Sequence, residues 1–303
     1  MNSKTLFYVL KRIGLAILTI WVVITITFFV MHAVPGGPFV GEKATTPAVQ
    51  AAMEAKYGLD KPVLEQYFTY LGDIVLRFDF GPSLKQRGRQ VIDIIADGMK
   101  VSAKLGLIAA FGALVVGIVL GAVAALKNKG AVDYIVIILA ILGVSVPNFV
   151  FGSLIQRYFA VEWKLFPIQG WKTWQCAILP IMAAAFTNIA YYARMLRSSM
   201  LDVMGHDYIY TARSKGLSEA QVVRGHMLRN SFLPLVTSLG PMCAGVLTGN
   251  FVIEKIFNIP GIGQSMILAI QNTDYTMIMG LTIIFAFISI VCYFLVDIVY
   301  GLV

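Results

Sequence analysis

An all-α membrane protein with six transmembrane helices is the fold class this sequence predicts, and three observations carry the prediction. The 303 residues are 58% hydrophobic and 13% charged, with a mean hydropathy of +0.78; a water-soluble core of ordinary surface-to-volume ratio could not hide that much apolar side chain. Six apolar runs, residues 14–34, 105–126, 134–155, 176–193, 232–253 and 276–296, are long enough to cross about 30 Å of hydrocarbon, which takes roughly 20 helical residues. The basic residues are also sorted. With the N-terminus inside, Lys4, Lys11, Arg12, Lys127, Lys129, Arg194, Arg197, Arg213, Lys215, Arg224 and Arg229 fall on inner segments, against Arg157, Lys164, Lys172 and Lys255 on the short outer loops. That bias predicts both termini on the cytoplasmic side (N-in, C-in). Residues 36–104 carry nine further basic residues, but segments of about 60 residues or more follow the rule poorly.

The first run is too long for a secretory signal and ends in "MHAVPGG" without a small-x-small cleavage site, so it reads as a retained first helix. Residues 35–100 hold eight of the sixteen acidic residues and turn signals such as "VPGGPF", "YGLDKP" and "DFGPS", which marks a structured outer loop. Within it "TPAVQAAMEAKYG" predicts a short amphipathic helix capped by Thr46, with Pro47 at its first position and Gly58 closing it. The chain thus divides into residues 1–100, the first helix with a long outer subdomain, and residues 101–303, a five-helix core.

In the second run Ala113, Gly117, Gly121 and Ala125 recur every four residues, a stripe on which another helix backbone can pack closely. The third contains "GVSVPNFVFG", where Pro147 removes a backbone hydrogen bond and predicts a kink. Asn148 beside it, with Asn188 and Asn250 in later spans, is a polar group at membrane depth: each either faces a translocation path or makes an interhelical hydrogen bond. In "NFVIEKIFNIPGIGQSM" Pro260, Gly261 and Gly263 force a reversal, and Glu254 stands where the fifth helix meets water. A carboxylate there is costly unless paired, so a rim salt bridge to Lys255 or another chain is expected.

Residues 194–232 form a cytoplasmic loop too long and too rich in helix formers to be slack. "HDYIYTARSKG" predicts a short helix closed by Gly216 in the left-handed region, with Arg213 and Lys215 in its last turn. Ser218 and Gln221 form a capping box that starts a second helix with Glu219 in its first turn. Ala220, Val223 and Met227 then share a face expected to dock into a partner, with Arg224 elsewhere. The competing reading lays this amphipathic segment on the anionic inner leaflet.

The chemistry is that of a conduit. There is no G-x-x-x-x-G-K-[ST] loop to cradle phosphates and no Ser, Cys or His constellation for hydrolysis, so no catalytic residue is assigned and the chain is not expected to be an enzyme. Cys176, Cys243 and Cys292 lie in apolar runs and read as buried small hydrophobes, and neither they nor the three histidines have metal-ligand spacing. The net charge of +8 is spread over membrane loops with no aromatic-interleaved basic domain, which excludes a nucleic-acid partner.

These residues carry a resemblance. "YTARSKG" stands where ABC importer permeases have a cytoplasmic Glu-Ala-Ala motif followed by glycine, with Tyr210, Thr211 and Ala212 at the three named positions and Gly216 at the glycine. Leu-Pro, expected about 13 residues after that glycine, comes later here, at Leu233-Pro234, a placement similar to the peptide and nickel branch. "VPGGPF", "KYGLDKPVLEQYFTYL", "DFGPS", "VSAKLG", "VIEKIFNIPGIGQ" and "VDIVYGL" extend the likeness over nearly the whole chain, and within the branch it most resembles the B subunits of oligopeptide permeases; dipeptide and nickel permeases are the near alternatives.

The resemblance implies a type I ABC importer transmembrane fold in the bacterial cytoplasmic membrane. It also implies a second homologous permease subunit completing the pore, two cytoplasmic ATPase subunits, an extracytoplasmic binding protein and a peptide cargo. It places no cofactor on this chain, with ATP and Mg on the ATPase subunits. The residues it points to for ATPase coupling are Asp207, Tyr210, Thr211, Ala212, Arg213, Lys215, Gly216, Ser218, Glu219 and Arg224; candidates for the path or gate are Pro147, Asn148, Asn188, Asn250, Glu254 and Pro260. An ion-coupled secondary transporter would need intramembrane carboxylates, and the cores of the six runs contain no Asp or Glu; Glu254 and Asp297 lie at span ends.

Overall fold

The computed structural model describes residues 3–34, 55, 58–86 and 88–300. Among them the regular structure is helical, with one isolated bridge between Pro82 and Gln90. The outer helix expected from Thr46 and Pro47 lies outside the described residues; Gly58, its expected closing residue, has φ +68°.

Helix α1 (Ser3–Ala33) is followed by α2 (Val63–Arg77) in the outer segment, then by α3 (Val91–Leu126), α4 (Ala131–Ser145) and α5 (Asn148–Ile155). α5 runs on as a π-helical stretch, Gln156–Glu162. Next come α6 (Trp174–Met204), α7 (Asp207–Ser214) and α8 (Glu219–Val222), the last extended by a π-helical stretch, Val223–Leu228. The chain ends with α9 (Leu233–Leu247), α10 (Phe251–Ile256), α11 (Ile262–Gln271) and α12 (Tyr275–Tyr300). Five helices among the described residues are long and apolar enough to span a membrane, six if the bent pair α4–α5 is one span.

Where Pro147 predicted a kink, the chain breaks by 102°. Proline disfavours α-helical backbone in the residue before it, and Val146 is accordingly extended (φ −87°, ψ 118°), with Pro147 capping α5. The fifth run also differs from the continuous helix expected: it is interrupted between α9 and α10, where Gly249 has φ +83°. Two helices outrun their apolar stretches. α3 starts fourteen residues before Leu105, and α6 continues past Ala193 to Met204, so the first turns of the expected cytoplasmic loop are a rigid extension of α6.

The small-residue stripe performs the packing it predicts. Ala113, Gly117, Gly121 and Ala125 are buried against α6; a Cβ on Gly117 would lie 2.6 Å from the Tyr192 Cβ, and one on Gly121 2.6 Å from the Ala193 carbonyl oxygen. Around this pair one core cluster joins Tyr192, Leu196, Met200 and Val203 of α6 to Ile209, Val222 and Met227. A second ties Ile24 of α1 to Ile74, Val91, Ile262 and Leu281. Asp274, at the start of α12, clasps the outer segment: its carboxylate accepts from Ser83 Oγ, from Leu84 N at 3.1 Å and from Thr276 Oγ1 at 3.1 Å. Of the cysteines only Cys292 is buried; Cys176 and Cys243 are half-buried, because their faces of α6 and α9 are partly uncovered.

Candidate functional site

Two features are joined by one long helix, α6: one lies against its middle and the other follows its C-terminal end. The first is a cavity of about 370 Å³ between α3, α6 and α9, lined by small residues such as Gly106, Ala109 and Ala184, with Ser102, Asn188, Thr248 and Asn250 supplying polar groups. Gly249 sits in this wall, and its left-handed backbone turns the chain out of α9 so that Thr248 and Asn250 face the space. Of the six path candidates, the structure brings Asn188 and Asn250 together here. Asn188 donates through Nδ2 to the Ala184 carbonyl at 3.3 Å, which leaves its amide oxygen free for another donor. Pro147 and Pro260 are exposed and Asn148 is half-buried, none of them lining the cavity.

Glu254 is placed otherwise than expected. In place of a rim salt bridge, its side chain is fully buried behind the cavity wall and accepts only neutral donors: Ser102 Oγ at 2.7 Å, Asn250 N at 3.2 Å and Gln264 N at 3.0 Å. Lys255 is exposed, since adjacent residues of a helix point about 100° apart. The carboxylate instead faces the start of α11, where free backbone N–H groups favour negative charge. The "PGIG" glycines make room for it: a Cβ on Gly261 would lie 2.3 Å from both Glu254 Oε2 and Ser102 Oγ.

The second feature is the elbow at the end of α6. Gly216 has φ +82° and closes α7 by a paired motif, Gly216 N donating to the Arg213 carbonyl at 2.9 Å and Leu217 N to the Ala212 carbonyl at 3.4 Å. Ser218 and Gln221 form the reciprocal capping box. Across the bend Arg213 makes a two-pronged pair with Glu219, Nε to Oε1 at 2.7 Å and Nη2 to Oε2 at 3.2 Å; the hydrogen bond to that carboxylate raises the guanidinium above its already high ordinary value.

Nine of the ten coupling candidates are exposed: Asp207, Tyr210, Thr211, Arg213, Lys215, Gly216, Ser218, Glu219 and Arg224. Ala212 is buried and packs the elbow onto its own chain. The face expected to meet a partner is corrected too. Ala220 is exposed, while Met227 is buried together with Val222 in the chain's own core. Val223 is partly buried against the same cluster, so Val223 and Met227 do share a face, but it packs on the chain itself and not on a partner. What the elbow presents outward is Tyr208, Tyr210 and Leu217 with the charged residues around them.

A third group lay outside the reach of sequence reasoning. Asp133 at the start of α4 is buried and takes a two-pronged ion pair from Arg197 of α6, Nε to Oδ1 and Nη2 to Oδ2, the latter at 2.7 Å. Lys129 N adds a hydrogen bond at 2.9 Å. The pair locks α4 to α6 between the cavity and the elbow. Its members are 64 positions apart, and nothing in their local sequence joins them.

Comparison with known proteins agrees with this architecture. Residues 117–303 match the family described as binding-protein-dependent transport system inner membrane component, and residues 5–101 match the N-terminal region of such membrane components. The chain is 45% identical over 295 residues to the dipeptide transport system permease protein DppB of Bacillus subtilis, covering 97% of this chain and 96% of that one. It is 40% identical over 298 residues to the oligopeptide transport system permease protein OppB of Escherichia coli K12, and 39% identical over 298 residues to that of Haemophilus influenzae, each covering 98% of this chain and 97% of the relative.

Proposed function

The chain belongs to the family of binding-protein-dependent transport system inner membrane components, a multi-pass membrane protein, and from that premise we propose that it is a permease subunit of an ATP-driven importer of peptides. It contributes half of a pore, pairs with a second homologous permease, receives cargo from an extracytoplasmic binding protein at its outer segment, and is driven by two cytoplasmic ATPases that hold the ATP and Mg. In this reading both termini lie on the cytoplasmic side, as the bias of basic residues suggests. The curated relatives carry dipeptide and oligopeptide names; the oligopeptide reading rests on the outer stretch "EKATTPAVQAAMEAKYGLDKPVLEQYFTYL".

The observation that carries this reading is α6. Asn188 on the cavity lies on the same uninterrupted helix that ends at Met204, where the elbow begins, about 24 Å from one to the other at 1.5 Å per residue. The Asp133–Arg197 pair braces its length. A push on the exposed elbow therefore moves the cavity wall as a rigid lever, without side-chain rearrangement in between. The cavity suits a cargo read through its backbone, since an amide such as that of Asn188 or Asn250 offers a donor and an acceptor to any peptide group.

The test is uptake of a labelled tripeptide by proteoliposomes holding both permeases and both ATPases, with binding protein outside. Uptake that needs ATP within the ATPase compartment supports the reading. Uptake driven by an ion gradient without ATP overturns it.

A further inference from the structure

Helix α2 has three sectors, and among the described residues only two have partners. Tyr67 and Ile74 are buried against α1 and its neighbours. Tyr67 Oη pairs with Thr25 Oγ1 at 2.8 Å, and Gln66 Oε1 with His32 Nε2 at 3.0 Å, which sets α2 beside the C-terminal end of the α1 span. A second sector is polar apart from Leu76, 81% exposed, and its charges are locally paired, Lys61 just before the helix with Glu65 at 2.8 Å and Arg77 with Asp73 at 3.2 Å. The third sector is apolar and bare: Leu64, Phe68 and Val75 are 62%, 65% and 60% exposed, and Phe78, capping the helix, 70%.

We infer that this third sector rests in the lipid of the leaflet at the C-terminal end of α1, so that α2 is an interfacial helix anchoring the outer segment to the bilayer. Two observations favour lipid over a protein partner. The sector is continuous with the exposed apolar face of α1, which includes Ile26, Phe29 and Val30: Phe29 stacks on Tyr67 at 5.4 Å and Tyr67 meets Phe68 edge-on at 5.3 Å, so an unbroken line of rings leads from the spanning helix onto α2. Leu64, Phe68, Val75 and Phe78 also carry no hydrogen-bonding side chain, whereas a protein interface carries about one hydrogen bond per 100–200 Å². An apolar face opposite a charged and polar one is the feature of a helix lying in the membrane surface.

Spin labels placed one at a time by Leu64→Cys, Phe68→Cys, Val75→Cys, Glu65→Cys and Thr69→Cys test it. The sample is the assembled transporter in phosphatidylcholine and phosphatidylglycerol vesicles, with Cys176, Cys243 and Cys292 replaced by alanine. Labels at 64, 68 and 75 are expected to show an oxygen-to-nickel-chelate accessibility ratio several-fold above those at 65 and 69. Labels at 64, 68 and 75 that are shielded from both reagents, as under a protein partner, or open to the nickel chelate, as in water, overturn the inference. Should the cysteine-free chain not assemble, Phe68→Asp and Thr69→Asp in the native chain answer the same question. The first alone is expected to lower the melting temperature of the complex in vesicles, and equal effects count against lipid contact.

Discussion

Ser102 on α3 and Glu254 on α10 are 152 residues apart in sequence and 2.7 Å apart in the fold. Ser102 Oγ donates to the carboxylate while accepting from Ile262 N at 2.9 Å, so one hydroxyl binds α3, α10 and the start of α11 together. Glu254→Ala strands two buried donors, Ser102 Oγ and Gln264 N, and the half-buried Asn250 N, each buried one costing about 1–3 kcal/mol, whereas Ser102→Ala strands Ile262 N alone. The melting temperature of the solubilised complex should fall in the order wild type, Ser102→Ala, Glu254→Ala, with Glu254→Gln between the last two because its amide keeps one acceptor and sets a donor against the remaining N–H groups.

Gly261 should be among the least replaceable residues. Gly261→Ala drives a methyl into Glu254 Oε2 and Ser102 Oγ and should abolish peptide uptake in whole-cell assays. Gly112→Ala, in α3 with nothing within 4 Å of its added Cβ, should be neutral or stabilise by up to about 1 kcal/mol through helix propensity.

The Asp133–Arg197 pair is buried on the acid's side, with the Arg197 side chain 22% exposed. Arg197→Met leaves a buried carboxylate without its cation and should cost about 3 kcal/mol, the low end for such a break. Arg197→Lys should recover only part of this, since an ammonium cannot reproduce the two-pronged fork. Chemical denaturation in mixed micelles measures both.

Tyr70 Oη is the one buried side-chain polar atom among the described residues without a hydrogen-bond partner, and burial pushes its phenol well above the ordinary value. Tyr70→Phe removes an unsatisfied group and should leave thermal stability unchanged or raise it by up to about 1 kcal/mol.

At Gly216 the constraint is backbone, since a Cβ there would meet nothing within 4 Å. An L-residue in the left-handed region costs roughly 1–2 kcal/mol, less for Asn. Gly216→Asn should therefore retain more ATP-dependent uptake than Gly216→Val, with Gly216→Val keeping ATPase activity that no longer drives transport; normal uptake by Gly216→Val would remove the elbow from the coupling path.

Features whose causes are local were legible in the sequence. The Pro147 break, the Ser218–Gln221 capping box, the Gly216 closure and the stripe from Ala113 to Ala125 each follow from a proline, a cap or a spacing acting within a few residues. Glu254 and Arg197 were misread or missed because their partners come from other helices. Val223 and Met227 share a face as their spacing predicts, but that face is covered by the chain's own core, with Leu196, Met200 and Val203 of α6, which a local pattern does not reveal. Asn188 and Asn250 were recognisable as costly polar groups, but only the fold shows that they share a cavity.

The coupling role of the elbow is open to one direct measurement: hydrogen–deuterium exchange of residues 207–221 in the permease pair reconstituted in vesicles, with and without the ATPase subunits. Binding of the ATPases should slow exchange across Tyr210 to Gln221 while leaving α9 unchanged. Exchange in that segment that is already slow in the permease pair alone and unaltered by the ATPases would place the elbow on the membrane surface and end its role as the lever.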